Sequence, residues 1–149
     1  MISIDTNVLV YAADDDEPAK QSTAKTVLIG ISAVKAVLGL QVIGELQNVL
    51  RRKLRQPPWT AAQNARNLLH AFESFPSTET AAEEALTLMA AGRLSYWDAL
   101  LLVSAREAGV TILLSEDMQD GLRLGSIEVV NPFGADGGPS ARVSELLRL

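Results

Sequence analysis

Leu94-Ser95-Tyr96-Trp97-Asp98-Ala99-Leu100-Leu101-Leu102-Val103-Ser104-Ala105 is the stretch on which the fold of this chain turns. It is apolar on nearly every side of a helix, which predicts a helix running through the middle of the fold. One carboxylate, Asp98, stands in its first turn, and Ser95 precedes it at capping-box spacing. An ionised group is costly in such a segment unless something pairs with it. The partner expected here is a metal ion, held jointly by Asp98 and by acidic residues from three other segments.

Outward from this helix, the pattern alternates between strands and helices. On the C-terminal side, Gly109 ends the helix and Val110 to Leu114 reads as the clearest strand. Ile127 to Val130 reads as the last strand, ending at Asn131-Pro132-Phe133. On the N-terminal side, Gly92 closes a helix whose start is placed at Thr80-Ala81-Ala82-Glu83, a capping-box spacing. Thr60-Ala61-Ala62-Gln63 has the same spacing and opens a helix to about Glu73, with a short strand expected from Phe75 to Thr78. Gln41 to about Arg55 reads as a helix with Val42, Leu46, Val49 and Leu50 on one face, stopped by Pro57-Pro58. Val34 to Leu40 is a further strand. Pro18 suits the first position of a helix and Gly30 its end. Ile2-Ser3-Ile4 is the first strand, ending at Asp5, with a short helix from Thr6 to Ala13 and an acidic loop, Asp14-Asp15-Asp16-Glu17, behind it. Such alternation predicts an α/β fold of three layers, α/β/α, around a central, mostly parallel sheet.

The 149 residues suit one domain with a sizeable core. Residues 1–133 carry the pattern; 134–149 read as a Gly-rich flexible connector and a short amphipathic tail, free to dock on the body or on a partner. Hydrophobic residues are 48% and charged residues 21% of the chain, as in ordinary globular proteins. No apolar run is long enough to span a bilayer. Met1 leads straight into Ile2-Ser3-Ile4 without a basic segment, so no signal peptide is expected. The chain has no cysteine, which excludes disulfides and thiolate metal sites and fits a cytoplasmic protein. Its single histidine, His70, excludes a multi-histidine site and reads as a surface or boundary residue. Net charge is −5, so binding to nucleic acid requires local positive charge.

Four acids fall at one edge of the expected sheet. In parallel α/β sheets, ligands bind outside the carboxyl ends of the strands. Asp5 ends the first strand, and Asp117 lies just past Val110–Leu114. Asp98 starts the central helix, and Glu45 lies one turn into the helix after the second strand, about 40° from Val49 on the wheel. Each has a plain structural reading. Asp5 suits an N-cap, Asp98 a capping box, Glu45 the edge of an apolar stripe, and Asp117 a turn. Together they repel, and such a cluster persists only with protons or a cation. All-oxygen donors suit Mg²⁺ or Mn²⁺ rather than Zn²⁺. Asp120 is a further acid nearby.

The motifs carrying these acids resemble those of a known family. Met1-Ile2-Ser3-Ile4-Asp5-Thr6-Asn7-Val8-Leu9-Val10-Tyr11 is similar to the opening motif of PIN-domain nucleases, and Gln41-Val42-Ile43-Gly44-Glu45-Leu46-Gln47-Asn48-Val49-Leu50 to the second. Leu94 to Leu100 resembles the third. Leu114-Ser115-Glu116-Asp117-Met118-Gln119-Asp120-Gly121, with Asn131-Pro132-Phe133, resembles the fourth and its closing strand. Size and pattern resemble the VapC-type toxins of bacterial toxin–antitoxin pairs. The resemblance implies a Mg²⁺- or Mn²⁺-dependent endoribonuclease, dimeric and blocked by a small antitoxin. Its acidic positions fall on Asp5, Glu45, Asp98 and Asp117, and its polar supporting positions on Asn7 and Ser115. On that basis Asp5, Asp98 and Asp117 are expected to hold the metal, Glu45 to complete the shell or activate water, and RNA to be the substrate.

Positive charge is densest at Arg51-Arg52-Lys53-Leu54-Arg55. Cations favour a helix C-terminus in general; they also suit a phosphate-contacting rim. Tyr96 and Trp97 read as core or interface aromatics, although aromatic rings also stack on bases. Three other readings compete: a PIN-like module that binds RNA or protein without catalysis, a phosphoacceptor signalling domain, and a metal-dependent phosphatase. No Lys follows Lys53, which counts against the second, and no strand-end Asp-x-Asp supports the third.

Overall fold

A computed structural model describes residues 1–149. The chain forms β1 (Ile2–Ile4), α1 (Thr6–Tyr11), α2 (Pro18–Ser32), β2 (Val37–Gly39), α3 (Leu40–Arg52), α4 (Pro58–Ala71), β3 (Glu73–Phe75), α5 (Glu79–Ala90), α6 (Tyr96–Glu107), β4 (Ile112–Leu114), β5 (Arg123–Leu124), β6 (Ile127–Val130) and α7 (Ala141–Leu147). Helices flank a central sheet of order β1-β4-β6-β5, with β1, β4 and β6 parallel and β5 antiparallel. A parallel β2–β3 pair lies beside β1, tied to it by an Ile2–Ala36 bridge. The chain thus leaves β1 toward β2 on one side and returns to β4 on the other. That reversal makes the carboxyl ends of β1 and β4 a topological switch point, where open α/β sheets bind ligands.

The apolar stretch that carries Asp98 forms α6, and every residue from Ala99 to Ala105 is buried. Ser95 caps it, its Oγ accepting from the Asp98 amide at 3.3 Å. Helices α5 and α6 both end in a left-handed glycine, Gly92 and Gly109. In each, the residue after the glycine donates back to the helix: Arg93 N to Leu88 O and Val110 N to Ala105 O. This is the hydrogen-bond pattern of a Schellman cap.

Several boundaries differ from expectation for local physical reasons. Strand β2 is only Val37–Gly39, because Val34 N still bonds Ile31 O at the end of α2. Strand β4 starts at Ile112, because Val110 serves the α6 cap. Neither Thr60 nor Thr80 is an N-cap. Helix α4 begins at Pro58, whose missing N–H costs nothing in a first turn. Helix α5 begins at Glu79, capped by the Thr78 hydroxyl accepting from Ala81 N. Helix α3 stops at Arg52, three residues short of Arg55, which adopts a left-handed φ of 54°. Gly30 lies inside α2 instead of ending it. Strand β3 is Glu73–Phe75, set by pairing with β2, and the two-residue β5 has no counterpart in the sequence reading. The segment after Phe133 is hydrogen-bonded, not a loose connector: Gly134 N bonds Gly138 O at 2.7 Å, and Thr23 Oγ1 donates to Gly137 O at 2.7 Å. Its tail forms α7, which lies on α2 and places Val143 and Leu147 in the main core. No helix is long and apolar enough to cross a membrane.

Candidate active site

Asp5, Glu45, Asp98 and Asp117 line one cleft of about 310 Å³, together with Thr6, Asn7, Tyr11 and Lys53. The cleft opens at the switch point. Asp5 follows β1, Asp117 follows β4, and Asp98 and Glu45 come from the early turns of α6 and α3. Strand–helix order therefore carries four carboxylates from distant parts of the chain to one edge.

Asp5 is the most enclosed of them, at 6% exposure. It caps α1 through Thr6 N, 2.6 Å from Oδ1. Its Oδ2 accepts from Ser115 Oγ at 2.7 Å and from Asn7 Nδ2 at 3.0 Å. Asn7 Oδ1 accepts in turn from Glu116 N at 3.2 Å, which fastens the loop after β4 to α1. Every donor to Asp5 is neutral. Burial pushes its carboxyl up to about 6; the bonds from Ser115 and Thr6 offset part of this, and the charges of Asp98 and Glu45 add to the rise. Asp98 is also raised, first by burial and then by Asp117 and Glu45, against the lowering bond from Ser95. Lys53 is the one cation that lines the cleft with these carboxylates, and its Nζ lies 3.9 Å from Asp14.

Glu45 is held from both sides. Thr6 Oγ1 donates to Oε2 at 2.8 Å, and Gln41 Nε2 donates to Oε1 at 2.8 Å. Gln41 gives its other proton to the Trp97 carbonyl at 3.0 Å, which ties α3 to the first turn of α6. Its own Oε1 is left buried without a partner, a cost of about 1–3 kcal/mol that the fold bears to keep this strut. Lys20 anchors the neighbouring loop. It pairs with Glu116, donates to Tyr11 Oη at 3.2 Å and stands 4.7 Å from the centre of the Tyr11 ring. Nothing in the sequence alone marks Thr6, Lys20 or Tyr11 for these roles. For Gln41 the i,i+4 spacing to Glu45 is a signal, and on a helix it reads as an ordinary surface pair.

Other residues fall away from the cleft. The Asp120 carboxylate accepts from Asn131 N at 2.8 Å and lies outside it. His70 is exposed in α4. Of the basic run, only Lys53 lines the cleft; Arg51 and Arg52 are exposed in the last turn of α3, and Arg55 lies beyond its end. Strands β2 and β3 end at Gly39 and Phe75, so no mid-chain strand presents an acceptor aspartate, and the phosphoacceptor reading loses its central residue.

The donor set is all oxygen, which suits a hard divalent cation. No three acidic side chains converge closely enough to enclose a metal ion by themselves. A cation that keeps several of its waters and takes one or two direct carboxylates fits this spacing, as magnesium commonly does.

The family model described as the PIN domain matches residues 2–119. No curated protein matches the sequence significantly. Among solved structures, VapC20 of Mycobacterium tuberculosis, described as a sarcin–ricin loop cleaving toxin, is similar with a TM-score of 0.63 at 21% identity, over 78% of this chain and 90% of its own. A toxin–antitoxin complex from Klebsiella pneumoniae gives 0.63 at 20%, over 89% and 98%. VapBC2 from Rickettsia felis, bound to a DNA fragment from its promoter, gives 0.61 at 16%, over 87% and 97%. Identities this low establish a shared fold. With most of its length matched by the family model, and its acids gathered at the switch point of the sheet, the chain belongs to the PIN domain family.

Proposed function

We propose that the protein is a metal-dependent endoribonuclease and the toxin of a type II toxin–antitoxin pair. The observation that carries this is the meeting of Asp5, Glu45, Asp98 and Asp117 in one cleft, with only neutral donors on the buried Asp5. Asp5, Asp98 and Asp117 would hold Mg²⁺ or Mn²⁺, directly or through water. When bound, the cation lowers the pKa of a water and neutralises charge on the phosphate. Asn7 and Ser115 fix the orientation of Asp5, as supporting hydrogen bonds do for metal-binding side chains. Glu45, clamped by Thr6 and Gln41, orients the attacking water and takes its proton onto the carboxylate. Lys53 faces the backbone of the substrate. The toxin-like relatives support an antitoxin as partner, and an acidic cleft suits one that inserts an Arg or Lys. A homodimer and a cytoplasmic location belong to the same reading.

That no three acidic side chains converge on one point favours one alternative, a PIN module that binds RNA or protein without cutting it. Cleavage of total RNA by the purified protein in Mg²⁺, Mn²⁺ or EDTA, beside Asp98→Asn, separates the two. Discrete products that require metal and vanish in the variant are expected. Absence of cleavage, together with absence of Mn²⁺ binding by calorimetry, would establish the alternative.

A further inference from the structure

A second groove adjoins the cleft. It is shallow, about 590 Å³, and shares Glu45 with the cleft as a common wall. Trp97 forms one side and stands 61% exposed in the first turn of α6, immediately before Asp98. The ring does not join the core, one of the two places its position in the sequence suggests, the other being an interface. Its indole packs edge-on against Tyr96, with centroids 5.0 Å apart and planes at 73°, which steadies the ring and leaves it largely in solvent. The Gln41 amide fixes the backbone beneath it. Across the groove, α3 presents Gly44, where an added Cβ would meet nothing within 4 Å. Gln47 and Asn48 line the same helix face; the Gln47 amide is spent within α3, donating to the Gly44 carbonyl at 3.0 Å and accepting from Arg51 at 3.4 Å.

We infer that this groove is a nucleobase subsite: Trp97 stacks an unpaired base of single-stranded RNA next to the phosphate that is cut, and the Asn48 amide meets the edge of that base. This rests on the ribonuclease reading above. The chemistry fits the charge problem of the molecule. A chain of net charge −5, with four carboxylates in its cleft and Lys53 as the one cation lining it, attracts a polyanion weakly. Stacking on an aromatic ring supplies affinity that needs no positive charge and accepts any base. The Asn48 amide, carrying both donor and acceptor, then discriminates between base edges. The open face at Gly44 leaves room for the base to enter from solvent.

The test uses the full chain in an Asp98→Asn background, so that RNA is bound and not consumed. Trp59 and Trp97 are the only tryptophans, and Trp59→Phe makes Trp97 the sole reporter. The probe is a random-sequence single-stranded RNA of about 12 nucleotides, within the range such proteins cover, compared with a strand of equal length lacking bases. RNA with bases should quench Trp97 emission, and the abasic strand should not. Trp97→Ala should weaken binding of the base-bearing strand about tenfold, with Trp97→Phe restoring most of it and abasic binding unchanged. Equal losses for both strands, or no loss for either, would overturn the subsite. A protein that is dimeric until Trp97→Ala makes it monomeric by sedimentation, without base-dependent quenching, would assign the ring to a second copy of the chain instead. Wild-type cleavage with unchanged Trp97→Ala binding rejects the subsite alone. Base-dependent quenching without wild-type cleavage rejects the nuclease and keeps the subsite.

Discussion

At Asp5 the requirements of fold and site oppose each other. Its carboxylate caps α1 and is 6% exposed, yet the groups around it are either neutral or negative. Burial lifts its pKa from 3.8 to about 6. Between those two values the folded state holds a proton that the unfolded chain has released. Stability of the metal-free protein therefore falls as pH rises through this window, by at most about 3 kcal/mol from this residue. Asp98, raised in the same direction, adds to the slope. A divalent cation binds the ionised form and reverses the trend above about pH 6. Thermal unfolding in EDTA should thus show wild type losing stability between about pH 4 and pH 6.5, relative to Asp5→Asn, which has no proton to release. Added Mn²⁺ should remove the loss in wild type and leave Asp5→Asn unmoved. A parallel pH dependence of the two proteins in EDTA would show that Asp5 is not held near 6.

At the scale of elements, what was legible in the sequence is what local physics decides. The largely apolar run of Ala99–Ala105, started by Ser95 and stopped by Gly109, reads as a buried helix, and Ser95, Gly92 and Gly109 act within one turn of where they stand. The four acids were legible because strand ends and helix starts share an edge in any parallel α/β sheet. What long-range packing decides was not legible. Thr6 supports Glu45 only once α1 meets α3, and Gln41 reaches the Trp97 carbonyl only once α3 meets α6. Gly30 read as a helix end because glycine usually marks one. In α2 its role is clearance: a Cβ there would lie 3.1 Å from both Leu147 Cβ and Leu149 Cδ2, so its absence lets α7 approach. Alanine at this position gains about 1 kcal/mol of helix propensity and meets that contact. A larger side chain cannot be accommodated without moving α7. Gly30→Leu should therefore raise the hydrogen-exchange rate across Ala141–Leu147 and lower overall stability by about 1–3 kcal/mol, the range for overpacking. Unchanged exchange in α7 would mean that the α2–α7 contact yields without cost.

Over the whole molecule, charge is arranged so that acid gathers at the switch point and base collects at the end of α3 beside it. Arg51 and Arg52 occupy the last turn, where the helix dipole favours cations whatever the function. Lys53 differs from them in lining the cleft, with its Nζ 3.9 Å from Asp14, a carboxylate only 4% exposed. Its side chain is 63% exposed, so this pair adds little to stability and leaves the ammonium free to meet a phosphate. Counterion release then offers a count of contacts. Each phosphate neutralised on a single strand contributes about 0.7 to the slope of log K against log salt. Binding of single-stranded RNA in the Asp98→Asn background should show a shallow slope, because the cleft offers one cation. Lys53→Ala should lower it by about 0.7, and Arg51→Ala with Arg52→Ala by up to about 1.4 more where the strand runs along the end of α3. A slope that Lys53→Ala leaves untouched would place the phosphate path elsewhere. A slope lost with Lys53 and unchanged by the two arginines would confine it to the cleft, and would make the arginines helix-end residues and nothing more.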